Sequence, residues 1–149
     1  MPQEDDDVVK IIVGVDGSPE SGRAVKWCAA HAAALGAEVV AVHSVEVPVY
    51  GASGFGALPV PVPTEPDREA IRAVIENEWC APMAKANIPF RVVVTEGGPA
   101  PSIIAVADKE AADLVVTGRR GRGGFAELLL GSTSHQLAHH IQRPLVIVP

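Results

Sequence analysis

The chain has 149 residues, enough for one domain with a substantial core and too few for two ordinary ones. Apolar residues make up 48% and aromatic ones only 4%, so the core must be built from Ala, Val, Leu and Ile, which suits helices packed on a sheet. The formal net charge of −6 argues against general affinity for nucleic acid, which needs clustered Lys and Arg; the basic cluster that does exist is local, at Arg119, Arg120 and Arg122.

The start, residues 1–7, is acidic and lacks the apolar run of a signal peptide, so it reads as a short flexible tail ahead of a domain over 8–149. No apolar stretch is long enough to span a bilayer, and the expected location is the cytoplasm. Cys28 and Cys80 both fall inside expected helices beside a Trp, without metal-ligand or redox spacing; two buried thiols are expected.

Lys10 to Val15 is a near-continuous run of branched apolar residues, as expected for a strand covered on both faces. Asp16-Gly17-Ser18-Pro19 ends it, with Ser18 suited to cap a helix and Pro19 to its first turn. Ala24, Trp27, Cys28, His31 and Leu35 then recur at helical spacing, with His31 and both tryptophans expected in packing roles, and Gly36 supplies the stop. Val39 to Val45 is a second buried strand. Residues 47–66, dense in Pro and Gly and carrying Tyr50 and Phe55, are either a solvated linker or a flap over a site. Ile71, Val74, Ile75 and Trp79 mark a further amphipathic helix, which Pro82 must end or kink. Phe90 to Thr95 is a third strand, Gly98-Pro99-Ala100 opens a helix, and Asp113 to Thr117 is a fourth strand. Gly118 to Gly124 is a loop, Leu128 onward is mainly helix through His140, and Leu145 to Val148 is a fifth strand.

This alternation of strand and helix implies an α/β domain, a parallel sheet with helices on both faces and right-handed crossovers. Ligands of such sheets bind beyond the carboxyl ends of the strands, where the strand order reverses. With the first strand central, that crevice lies between Val15-Asp16 and Thr117-Gly118.

The loop Gly118-Arg119-Arg120-Gly121-Arg122-Gly123-Gly124 follows a buried strand directly, and Gly131-Ser132-Thr133-Ser134 precedes a turn of helix. Glycines let main-chain amides approach an anion, and a helix start adds unpaired N–H groups and a favourable dipole. The hydroxyls of Ser132, Thr133 and Ser134 and the arginine forks suit phosphate oxygens, so the pattern points to a polyphosphate. No Gly-Lys-Ser/Thr ends the run, and Gly14, Gly17 and Gly22 are wrongly spaced for a dinucleotide fingerprint.

Gly118, two residues, Gly121, nine residues, then Gly131-Ser132 resembles the ATP-binding signature of the universal stress protein family. Gly121 to Phe125, Leu128 to Ser132, the opening Ile12-Val13-Gly14-Val15-Asp16-Gly17-Ser18, Gly98-Pro99-Ala100, Ala112-Asp113-Leu114 and the final Pro144 to Pro149 are similar to that family in the same order. The resemblance implies a single Rossmann-like five-stranded parallel sheet of order 3-2-1-4-5, and a homodimer made through the strand 145–148. It implies ATP, with Mg, as ligand. Asp16 would lie near ribose and metal, Gly14 and Val15 main chain near the base, and Ser44 at the adenine, where the family more often has an apolar residue. Thr117, Gly118, Arg120 and Gly121 would line ribose and phosphates, and Gly131, Ser132, Thr133 and Ser134 would close on the terminal phosphates.

Other readings compete at single residues. Asp16 can also be a turn-forming cap, although the family pattern favours the ribose or Mg²⁺ contact. His135 and His139 have the spacing of a metal pair, but no third ligand is evident. Glu127 is near the loop in sequence only, and no nucleophile–base set has recognisable spacing. The chain is therefore expected to be a nucleotide-dependent stress or signalling regulator with an unknown protein partner. A weak ATPase or autophosphorylating enzyme (on Ser132 or Ser134), a cyclic-AMP binder and a nucleotide-free interaction module are the alternatives.

Overall fold

The computed structural model describes residues 8–47, 62–121 and 129–149. The acidic tail, most of the Pro/Gly-rich segment with Tyr50 and Phe55, and Arg122, Gly123, Gly124, Phe125, Glu127 and Leu128 lie outside the described residues.

Five strands, β1 (Val9–Gly14), β2 (Ala37–Val45), β3 (Phe90–Glu96), β4 (Leu114–Gly118) and β5 (Leu145–Val148), pair in parallel in the order β3-β2-β1-β4-β5. The helices are α1 (Pro19–His31), α2 (Glu65–Val74), α3 (Ala81–Lys85), α4 (Pro99–Lys109) and α5 (Ser132–His140). Each face of the sheet has its own core, because side chains along a strand alternate between faces. Ile11, Val13, Val39, Ala41 and Val116 pack with Ala24, Val25 and Cys28 of α1 and with Ile75, Cys80 and Met83. Ile12, Val40, Val42 and Val115 pack with Ile103, Val106 and Ala107 of α4 and Leu137 of α5. Ile11, Ile12 and Val13 are fully buried, as their unbroken apolar run required.

Ser18 caps α1, accepting the Ser21 N–H at 3.1 Å, and Pro19 occupies the first turn. The helix is shorter than its apolar spacing suggested. It ends at His31, and Leu35 falls in the following turn, 45% exposed, before Gly36 at φ +60°. His31 is exposed rather than core; its ring stacks on Trp27 with centroids 4.3 Å apart, and Nδ1 bonds the Trp27 carbonyl.

Pro82 acts differently from a terminator. After α2 the chain makes a π-helical turn over Ile75–Trp79, closed by the Cys80 N–H on the Ile75 carbonyl at 2.8 Å. Cys80 leaves helical geometry, and Pro82 then sits in the first turn of α3, where a missing N–H costs nothing. The last helix begins at Ser132 rather than near Leu128: Leu129 and Leu130 form a bend, and Gly131 is the extended N-cap. Beyond β1 the chain order diverges, to β2 and β3 on one side and β4 and β5 on the other, which opens a crevice at the strand tips. No helix among the described residues is long and apolar enough to cross a membrane.

Candidate functional site

A cavity of about 500 Å³ occupies that crevice. Its floor is the tips of β1 and β4. Gly14, Val15 and Asp16 come from the first, Thr117 and Gly118 from the second. A Cβ on Gly14 would meet Ile103 Cδ1 at 2.7 Å, and one on Gly118 would meet the Glu20 main chain at 2.7 Å.

Arg120 and Gly121 form one wall and Gly131, Ser132, Thr133 and Ser134 the next. The two glycine turns are tied directly together. The Arg119 carbonyl accepts the Gly131 N–H at 2.8 Å and the Ser134 hydroxyl at 2.6 Å, while the Arg119 N–H donates to Val148 of β5 at 2.7 Å. A Cβ on Gly131 would lie 3.0 Å from Arg120 Cα, so the close approach depends on glycine at that point. Ser134 is 1% exposed and its hydroxyl also reaches the Gly131 carbonyl. That hydroxyl was expected among the phosphate donors; it is a strut between the turns. The His135 N–H is the first in α5 to find a helical acceptor, Gly131, and no side chain caps the helix. Among the described residues the amides of Ser132, Thr133 and Ser134 are therefore the orphan donors of a helix start, with the positive end of its dipole behind them.

Asp16 serves its turn and the cavity together. Oδ1 accepts the Ser18 N–H at 2.9 Å, the Asp16 N–H donates to Ser21 Oγ at 3.2 Å, and Gly121 lies so close that a Cβ there would overlap Oδ2. The turn reading and the site reading of this residue are geometrically compatible.

The far wall is the tip of β2 and the start of α4. Ser44 donates to the Gly97 carbonyl at 2.6 Å and lies 3.2 Å from the Ser102 hydroxyl. All twelve residues proposed from the sequence line this one cavity. Sequence reasoning missed His43, Glu46, Gln136 and Pro99, Ala100, Pro101 and Ile103 of α4 as lining residues. Gly98-Pro99 was legible as a helix start; that α4 begins beside the tip of β2 follows only from the packing.

Elsewhere, His135 and His139 lie on an exposed stretch of α5 with rings 4.6 Å apart, and no group of three potential metal ligands exists among the described residues. Burial pushes the thiols of Cys28 and Cys80 up to about 12, so neither is a nucleophile at neutral pH.

The profile of the Universal stress protein family matches residues 9–149, nearly the whole chain. The chain belongs to the universal stress protein family. A universal stress protein of Methanocaldococcus jannaschii is 32% identical over 144 residues, covering 93% of this chain and 81% of its own length. One from Thermus aquaticus is 33% identical over 143 residues, covering 93% and 96%. Among solved structures, a universal stress protein in complex with cAMP superposes with a TM-score of 0.69 at 27% identity, covering 95% of this chain and 96% of the other. Family membership fits the sheet order and the crevice at its switch point; the crevice's own geometry carries the argument about ligand.

Proposed function

We propose that this universal stress protein binds ATP in the crevice and acts as a nucleotide-dependent regulator in stress or signalling, working as a homodimer. One observation carries the reading. Two glycine turns, held together at the Arg119 carbonyl, bring the orphan amides of a helix start and Arg120 to the tip of a central strand. Such an array suits a chain of phosphates, with helix dipole, amides and guanidinium acting in concert. Ser44 and the apolar start of α4 also line the cavity and would take the base.

Magnesium fits the donor set. Mg²⁺ on a nucleotide takes one or two carboxylates, phosphate oxygens and waters. Asp16 would supply the carboxylate, and the metal would neutralise phosphate charge that otherwise repels it. Among the described residues no base is evident beside the phosphate loop, which favours binding and signalling over rapid hydrolysis.

The homodimer is supported by β5, whose outer edge has no strand beside it among the described residues and whose four residues are only partly covered. An apolar edge of this kind invites pairing with another strand. Cyclic AMP is a second ligand reading, favoured by the cAMP complex of the structural relative.

Denaturing freshly purified protein and chromatographing the released small molecules, together with calorimetry of ATP and cyclic AMP on the emptied protein, tests the proposal. Adenine nucleotide in the release and saturable ATP binding are expected. An empty release with no heat from either nucleotide would defeat it.

A further inference from the structure

The outer face of α5 carries two imidazoles that the crevice does not use. His135 and His139 are four residues apart, just over one helical turn, which places both side chains on one face about 6 Å apart along the axis. Both are exposed, and their ring centroids lie 4.6 Å apart with the planes at 58°. Neither lines the crevice.

The chain has five histidines. His31 and His43 are each engaged through Nδ1 with a main-chain carbonyl, whereas no hydrogen bond or ion pair among the described residues engages His135 or His139. Their ring nitrogens are open to a ligand from solution. A late first-row cation sits about 2.0–2.1 Å from an imidazole nitrogen, so two rings this close need only side-chain rotation to hold one ion between them. His140 does not complete the set. It is turned about 100° from His139 around the helix, its ring centroid is 6.3 Å away, and it lines a separate hollow between α4 and α5 with Asp108. The thiols are fully buried and cannot compete for the ion.

We propose that His135 and His139 form a two-imidazole site for a late first-row divalent cation, Cu²⁺, Ni²⁺ or Zn²⁺, on the outer face of α5, with water in the remaining positions. Imidazole nitrogen selects these ions over Mg²⁺, which prefers oxygen and belongs with the phosphates at the other end of the helix. The helix dipole adds to the attraction, because His139 lies in the last turn, where positive charge is favoured. An ion held by both rings ties successive turns of a nine-residue helix, a length that is marginal without outside support. It therefore binds the folded chain in preference to the unfolded one and raises its stability. The site is independent of the nucleotide reading.

The test uses untagged, nucleotide-free protein, calorimetry with Ni²⁺, Zn²⁺ and Mg²⁺, and melting curves with and without each ion. Wild type is compared with His135→Ala, His139→Ala and His140→Ala, all at exposed positions where alanine favours the helix. Wild type should bind one Ni²⁺ or Zn²⁺ per chain and melt at a higher temperature with it, while Mg²⁺ leaves α5 unaffected. His135→Ala and His139→Ala should each weaken binding of Ni²⁺ and Zn²⁺ by at least about tenfold and lose the shift in melting temperature; His140→Ala should keep both. Absence of saturable binding, an affinity unchanged in His135→Ala and His139→Ala, or an equal loss in His140→Ala would overturn the proposal. So would a stoichiometry of half an ion per chain, which would place the metal between two copies.

Discussion

At Gly121 a single methyl group would enter the space of the Asp16 carboxylate, while glycine leaves both the turn and the acid in place. Gly121→Ala is therefore expected to push Asp16 or the loop aside and weaken ATP binding about tenfold, near 1.4 kcal/mol, with little change in thermal stability since Gly121 is exposed. Calorimetry beside a melting curve checks both halves. Asp16→Asn separates the two uses of that side chain: its oxygen still accepts the Ser18 N–H, and its charge is gone. Such a variant should fold normally and bind ATP with an affinity indifferent to Mg²⁺, whereas wild type responds to the metal. Ser134→Ala removes the strut to the Arg119 carbonyl and should lower stability by about 1 kcal/mol, since a buried acceptor loses one of its donors. The hydroxyl of Ser134 shows where single-residue reading fails. In sequence it is one of three hydroxyls after a glycine, all equivalent as donors; only the return of α5 beneath the end of β4 spends it on a carbonyl.

Elements were legible where local chemistry and packing agree. The branched runs at Ile11–Val13 and Val39–Val42 are buried on both faces, and Ser18-Pro19 starts α1 as a cap followed by a first-turn proline. The helix ends were harder. Apolar spacing continued to Leu35, yet the chain must turn at Gly36 to enter β2, and this exposes both His31 and Leu35. The π turn had no local sign except Pro82; Ile75 and Trp79 in it pack against the core on one face of the sheet. Candidate site residues were legible where they sit on glycine turns and strand tips; His43 was not, since its partner carbonyl lies 28 positions away in sequence. At β5 the proposed partner is a second copy of the chain. Ile147→Lys places a charge on that edge strand and should convert the dimer to a monomer in sedimentation velocity. A wild type that sediments as a monomer would remove the homodimer from the account.

Across the molecule, charged groups at the two ends of the sheet have different roles. Opposite the crevice, Glu110 is paired with Arg91 and Lys10, and those partners hold its carboxyl below the ordinary value, Arg91 foremost. A depressed carboxylate stabilises the fold above its unfolded pKa and is lost as pH falls through the folded one, so acid should loosen the β1–β3 end first. At the alkaline limit the sign reverses for the thiols. Cys28 and Cys80 stay protonated in the fold to about 12 while the unfolded chain ionises near 9.0, so stability should fall between these values, and a Cys28→Ala, Cys80→Ala double variant should flatten that fall. Melting temperature against pH checks both limbs. The central claim concerns the other end of the sheet, where the glycine turns, the α5 start and the tip of β1 are proposed to share one nucleotide. Amide shifts in a nitrogen-15 spectrum during ATP titration test it most directly. Saturating shifts centred on Gly14–Asp16, Gly118–Gly121 and Ser132–Ser134 are predicted; a spectrum that ATP leaves unmoved, or shifts centred on another surface, would contradict it.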